Sequence, residues 1–389
     1  MGGNSMVKGI RAILPAVFVF GSIAVADEPV QQSAADKITA AAMEFRLALD
    51  FDGDTFSGPA WENLVAEGAA AQFFLVGEDH GIAENPVFVA QLFDELSQQG
   101  YSRMAIEISP TMAALLDAAL AQGGLDGLRE LFAQPGGEPA FFGMQEEAEM
   151  LASVRASVPV DQQVLWGTDY EVAGDRQLIK LLEQAEKPPA ADAALETVAE
   201  ASANSWAQYE QTGSPQFIFS FAADPQLIRA VSAAWPNPDP RSTVILNTLE
   251  KTLAVNNLWM QGNAWASNNA RASLQRENFL RYWRAAQQRG EAPKVLAKYG
   301  SSHVLRGLSP TAVFDLGTLL PEIAALEGGH SFSLAVMPGA GSQIAGLNPS
   351  NWSYEPRPAD GGYIKGIKPL MDAAFDDQYT LIDLRALRP

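Results

Sequence analysis

Phe73-Phe74-Leu75-Val76-Gly77-Glu78-Asp79-His80-Gly81 decides how this chain is read. Four apolar residues stop abruptly at a glycine, and an acid, a second acid, a histidine and another glycine follow. An apolar run of that length bounded by glycine predicts a buried strand. In open α/β sheets, ligands bind outside the carboxyl ends of the strands. Glu78 and His80 therefore stand where such a fold does its chemistry, and the whole chain has only three histidines. The competing reading is a turn whose carboxylate caps the next helix.

Working outward, Pro86 opens a helix whose Val89, Leu92, Phe93 and Leu96 repeat at i, i+3, i+4 and i+7, and Gly100 closes it. Ser102 to Ile108 predicts a second strand with Glu107 near its carboxyl end. Strand, helix and strand together have the size of a βαβ unit, which as parallel neighbours would set Glu107 beside Glu78 and His80. A carboxylate ending an apolar strand is costly unless paired. Glu107 is thus either a site residue or the structural partner of an arginine. Helices are expected over Thr111 to Ala121, stopped by Gly123-Gly124, and around Met144 to Val154. Gln163 to Gly167 predicts a third strand, with Thr168-Asp169-Tyr170-Glu171 at its end. Asp169 is read either as a site residue or as a cap for a helix near Arg176 to Ala185.

From Ala190 to Arg289 there is little strand character. Alanine-rich and polar segments alternate, and an insertion of helices, at about 190–290, is expected to cover the active rim and shape a pocket. In its last helix Arg276, Leu280 and Trp283 share a face with Phe279. A cation on that stripe needs an acid, with Glu78, Glu107 and Asp169 as candidates, or else snorkels to the surface. Lys294 to Tyr299 predicts a fourth strand with His303 just past its end, the position His80 takes in the first. His330 precedes the strand Ser331 to Val336 and so belongs to the opposite rim. Gly339 to Gly362 reads as a long loop, and Tyr379 to Leu384 as a last strand. The fold class is α/β, a central mostly parallel sheet flanked by helices.

Before residue 71 the reading is of leader and connector. Lys8 and Arg11, the apolar run Ala12 to Val25 and Ala24-Val25-Ala26 form a secretory signal pattern over residues 1–26. The run is short and holds Pro15, against a membrane anchor. Export predicts a periplasmic or secreted protein. Residues 27–70 read as a polar tail and connector: helix from Ile38 to Leu49, a turn at Asp50 to Asp54, and helix from Trp61 to Ala71. The Asp-rich turn fails as a calcium loop, because Thr55 and Trp61 stand where glycine and glutamate are required. Residues 71–389 form the α/β domain.

With 389 residues and 47% hydrophobic residues, the chain can bury a large core. A formal charge of −20 argues against nucleic-acid or anionic-membrane partners and for neutral or cationic ligands, and the partner expected is a small-molecule substrate. The absence of cysteine removes thiolate chemistry.

Gly77-Glu78-Asp79-His80-Gly81, Ala105-Ile106-Glu107, Trp166-Gly167-Thr168-Asp169, Arg276-Glu277 and the strand ending in His303 together resemble the erythromycin esterase family. They resemble equally its wider superfamily, which includes the ChaN-like haem-iron uptake proteins and the Tiki proteases. Glu78-x-His80 is one residue shorter than the esterase motif and closer to the ChaN-like form. Gly300 stands where the esterases carry an additional histidine. The esterase resemblance implies a hydrolase without a cofactor. His80 would be general base toward water attacking an ester carbonyl, with Glu78 or Glu107 orienting it. His303 would join them, and Asp169 and Arg276 would hold substrate or stabilise the oxyanion. The other branches imply that Glu78, His80, Glu107 and His303 bind haem iron or a divalent metal, as a binding protein or a metal-dependent hydrolase.

Overall fold

The computed structural model describes residues 33–339, 343–348, 353–358 and 366–387. The signal pattern lies outside them. The chain begins with helix α1 (Ala34–Phe45), capped by Ser33 and Asp36 in a reciprocal box, and then becomes extended in β1 (Arg46–Phe51). The helix expected as far as Leu49 therefore ends four residues early. Arg46 to Leu49 pairs antiparallel with β10 (Tyr379–Ile382), over 300 residues away. β1 also pairs with β2 (Phe56–Ser57), to give a small sheet of order β10-β1-β2. The last expected strand thus serves this second sheet. The turn between β1 and β2 is closed by Asp52, whose Oδ1 accepts from the amides of Asp54 and Thr55.

After α2 (Pro59–Ala70) comes β3 (Phe73–Glu78), followed by α3 (Glu84–Ser97), β4 (Tyr101–Ile106), α4 (Pro110–Phe132), α5 (Gln145–Ala156), β5 (Leu165–Gly167) and α6 (Asp175–Gln184). Helix α4 runs past Gly123 and changes direction at Gly124, which has φ 56°. Helices α7 (Pro189–Thr212), α8 (Phe219–Ala222), α9 (Gln226–Ala234), α10 (Pro240–Met260) and α11 (Ala264–Gln288) follow. Then come β6 (Lys294–Gly300), α12 (Leu316–Leu326) and β7 (Ser331–Ala335). The segment read as a long loop contains an antiparallel hairpin, β8 (Gln343–Asn348) with β9 (Ser353–Pro358). A short helix α13 (Lys368–Met371) precedes β10.

The central sheet has five parallel strands in the order β5-β4-β6-β3-β7. β3 and β4 are not neighbours, as the βαβ reading expected: β6 runs between them, pairing Phe73 to Glu78 on one side and Tyr101 to Ile106 on the other. Parallel strands buried on both faces need continuous apolar sequence, and every residue of β3 is buried. Side chains alternate between the faces. Phe74 and Val76 enter the core formed with α2, α3, α4 and α5. Phe73 and Leu75 pack instead with Phe279, Trp283 and Leu320 of α11 and α12. A third cluster, with Leu178, Leu195, Trp206 and Leu249, joins helices α6 to α10 to one another. Among the described residues no helix is long and apolar enough to cross a membrane.

Candidate active site

At the carboxyl end of the sheet the strand order determines who meets whom. Glu78 follows Phe74 and Val76 on the same face of β3 and lies opposite Gly300 in the register with β6. Glu107 leaves the end of β4 on the other side of β6. Between them, β6 delivers Lys298, Gly300 and, in the helical turn that follows, His303. That turn rests on β3 because residue 77 is glycine. A β-carbon there would come within 2.2 Å of Val304 and 2.8 Å of the Ser301 Cα.

Glu107 is the hub, 4% exposed. Its Oε1 accepts from Arg271 at 2.5 Å and faces His303 Nε2 at 3.3 Å. Its Oε2 accepts from the Gly300 amide at 2.6 Å and faces His80 Nε2 at 3.4 Å. Burial alone would raise this carboxyl, but His303 and Arg271 hold it well below the usual carboxylate range. His80 lies between two acids, with Nδ1 on Glu78 at 3.0 Å. Burial disfavours its charge, yet Glu107 and Glu78 raise it to about 9. His303 is raised to about 10 against the same penalty, by Glu107 and by Asp315, which meets its Nδ1 at 2.6 Å. At neutral pH both imidazoles are held as cations.

His80 is the more open of the two, its side chain 23% exposed against 11% for His303. Its ring stacks on Phe141 with centroids 4.2 Å apart. Phe141 has φ 67°, a left-handed conformation that costs a non-glycine residue about 1–3 kcal/mol.

Behind Glu78 is a buried triad. Lys298 Nζ donates to Glu78 at 2.6 Å and to Glu147 of α5 at 2.7 Å, all three side chains 1% exposed. Burial works against ionising Glu78, but Lys298 and His80 outweigh it and lower its pKa. Glu147 has no hydrogen bond from the histidine, and burial raises it to about 7. The second oxygen of each acid is buried without a hydrogen bond.

The structure brings together five of the six residues singled out in the sequence: Glu78, His80, Glu107, His303 and Asp169. Asp169 is no helix cap, since α6 begins at Asp175 after Gly174. Its carboxylate holds Arg271 through two nitrogens and also accepts from Gln275 at 2.9 Å. The exception is Arg276. Its guanidinium bonds to Ala272 O and Ser273 Oγ of its own helix, and the cation that enters the site is Arg271, one and a half turns earlier. The signal for it was polar periodicity. Arg271, Gln275 and Asn278 recur at i, i+4 and i+7, and Asn278 donates to Thr168 O at 2.8 Å. Lys298 was legible too, as a charge inside the apolar strand Val295 to Tyr299. Asp315 and Glu147 left no comparable signal. His330, at the start of β7, is exposed and accepts the Gln72 amide through its carbonyl, on the opposite rim as expected.

Each imidazole nitrogen of His80 and His303 faces a carboxylate, and both oxygens of Glu107 are engaged twice. Among the described residues no group of three or more histidines and acids is arranged to hold an ion.

A five-stranded parallel sheet flanked by helices defines an erythromycin esterase-like α/β fold. The chain is similar in structure to a histidine-to-asparagine variant of the erythromycin esterase EreC in its open conformation, with TM-score 0.56 and 15% identity over 86% of this chain and 88% of that one. It is also similar to a Bacillus cereus protein known from its crystal structure, with TM-score 0.51 and 13% identity over 85% of this chain and 81% of that one. No family model matches the chain, and no curated protein matches it by sequence.

Proposed function

We propose that this protein is an exported hydrolase of esters or related carbonyl compounds. In its neutral form, which grows as pH rises toward about 9, His80 takes a proton from the attacking water. Glu78, itself kept ionised by Lys298, accepts the Nδ1 proton of His80 and fixes the tautomer that turns Nε2 toward the pocket. Glu107, anchored by Arg271 and the Gly300 amide, sets the angle between the two imidazoles. His303, held as the imidazolium by Glu107 and Asp315, is the donor for the developing oxyanion.

The observation that carries this reading is His80 itself: a partly exposed imidazole with one nitrogen on a buried carboxylate and the other facing Glu107, the acid that His303 also faces. The likeness to an erythromycin esterase supports a hydrolase, with the macrolide belonging to that protein. Nitrophenyl esters of graded acyl length test the proposal. His80→Ala should lose about 10²–10⁴-fold in kcat/KM, the usual share of a general base. Hydrolysis that persists undiminished in His80→Ala overturns it.

A further inference from the structure

Phe141 has two neighbours of different kinds. It stacks on His80, and it also lines a cavity of about 270 Å³. Trp206 of α7 and Arg176 of α6 line the same cavity. The Arg176 guanidinium lies over the Trp206 ring, 4.1 Å from its centroid. Its Nε is buried without a hydrogen-bond acceptor, and among the described residues Arg176 forms no ion pair. Asp175 and Glu210 act on it only through space, and Asp175 spends its hydrogen bonds on Ser202 Oγ at 2.6 Å and the Trp206 indole at 3.1 Å. Glu138 also lines the cavity but bends back over Gly143, where a β-carbon would meet its carboxylate at 2.2 Å.

A buried donor without an acceptor is costly, and a guanidinium is shaped to take a carboxylate in a fork. Trp206, under the guanidinium, and Phe141, elsewhere in the lining, offer flat apolar faces. From this arrangement we infer that the cavity is a ligand subsite for a carboxylate attached to a flat or apolar body, with Arg176 pairing the carboxylate. It rests on the hydrolase reading only for its role there. Phe141, shared with His80, would seat the remainder of such a substrate at the reacting end, so the favoured esters carry a free carboxylate remote from the bond that breaks.

Calorimetric titration of the full chain with phenylacetate and with phenylacetamide tests this without requiring turnover. At low salt the anion should bind at least about tenfold more tightly than the amide, the margin of one charge-assisted hydrogen bond over a neutral one. Arg176→Met should abolish the preference and leave the amide unaffected. Arg176→Lys, which keeps the charge and loses the fork, should fall between. Equal affinity for the two probes, failure of both to bind, or an undiminished preference in the two variants overturns the inference. Nitrophenyl ester hydrolysis, measured separately, distinguishes the two ideas. An anion preference without hydrolysis leaves the subsite standing and removes the hydrolase, and hydrolysis without the preference does the reverse.

Discussion

Replacing Lys298 by methionine tests the electrostatic construction of the rim at its most buried point. The ammonium is 1% exposed and serves two carboxylates at 2.6 and 2.7 Å. Methionine keeps the stem's bulk and removes the charge. Taking one member from a buried ion pair costs about 3–5 kcal/mol, because the remaining charge is left in a low-dielectric site. Here the loss should depend on pH. In the native protein Lys298 and His80 hold Glu78 below its ordinary value, so its contribution is present above about 4.5 and is lost as pH falls through the lowered pKa. Without the lysine Glu78 would be raised above its unfolded value, reversing its sign, and Glu147, already raised to about 7, would be raised further: stability is retained below about 4.5 and lost as pH rises. Urea unfolding near pH 8 should therefore show the full about 3–5 kcal/mol, and near pH 5 distinctly less. Adding Glu147→Gln removes one of the two stranded acids and should recover about 1–2 kcal/mol near pH 8. A penalty below about 1 kcal/mol near pH 8, or one independent of pH, would show that Lys298 is not the counter-charge of these acids.

The two arginines of α11 should separate cleanly. Arg271→Ala leaves Glu107 and Asp169 buried without their cation and should cost about 3–5 kcal/mol in denaturant unfolding, whereas Arg276→Ala should stay within about 1 kcal/mol. If His80 is the base, ester hydrolysis should rise about tenfold per pH unit and level off above about 9, where the imidazole loses its proton. Stability should move the opposite way. The raised values of His80 and His303 stabilise fully below about 6.5, and that contribution is lost as pH rises through about 9 and about 10. Gly300→Ala would place a methyl 3.2 Å from His80 Nε2 and 3.5 Å from Glu107 Oε2. It should lower kcat about tenfold or more through misalignment, with the melting temperature nearly unchanged.

Features that depend on short-range pattern were legible in the residues alone. The apolar run before Glu78 could only be buried, and glycine ended it. The same logic located Glu107, Asp169 and His303 at strand ends, because a polar cluster after an apolar strand has few other places to lie. Tertiary structure decided what depends on partners distant in the chain. β6 between β3 and β4 could not be read from neighbouring segments, which by themselves favour direct pairing, and it is β6 that brings Lys298 and Gly300 between the two acids. Arg46 to Leu49 read as helix because its strand partner is near the other terminus. Arg271 prevailed over Arg276 because the rotation of α11 against the sheet determines which side chain reaches Glu107, and that rotation is fixed by Phe279 and Trp283 packing on Phe73, a contact between residues 200 apart.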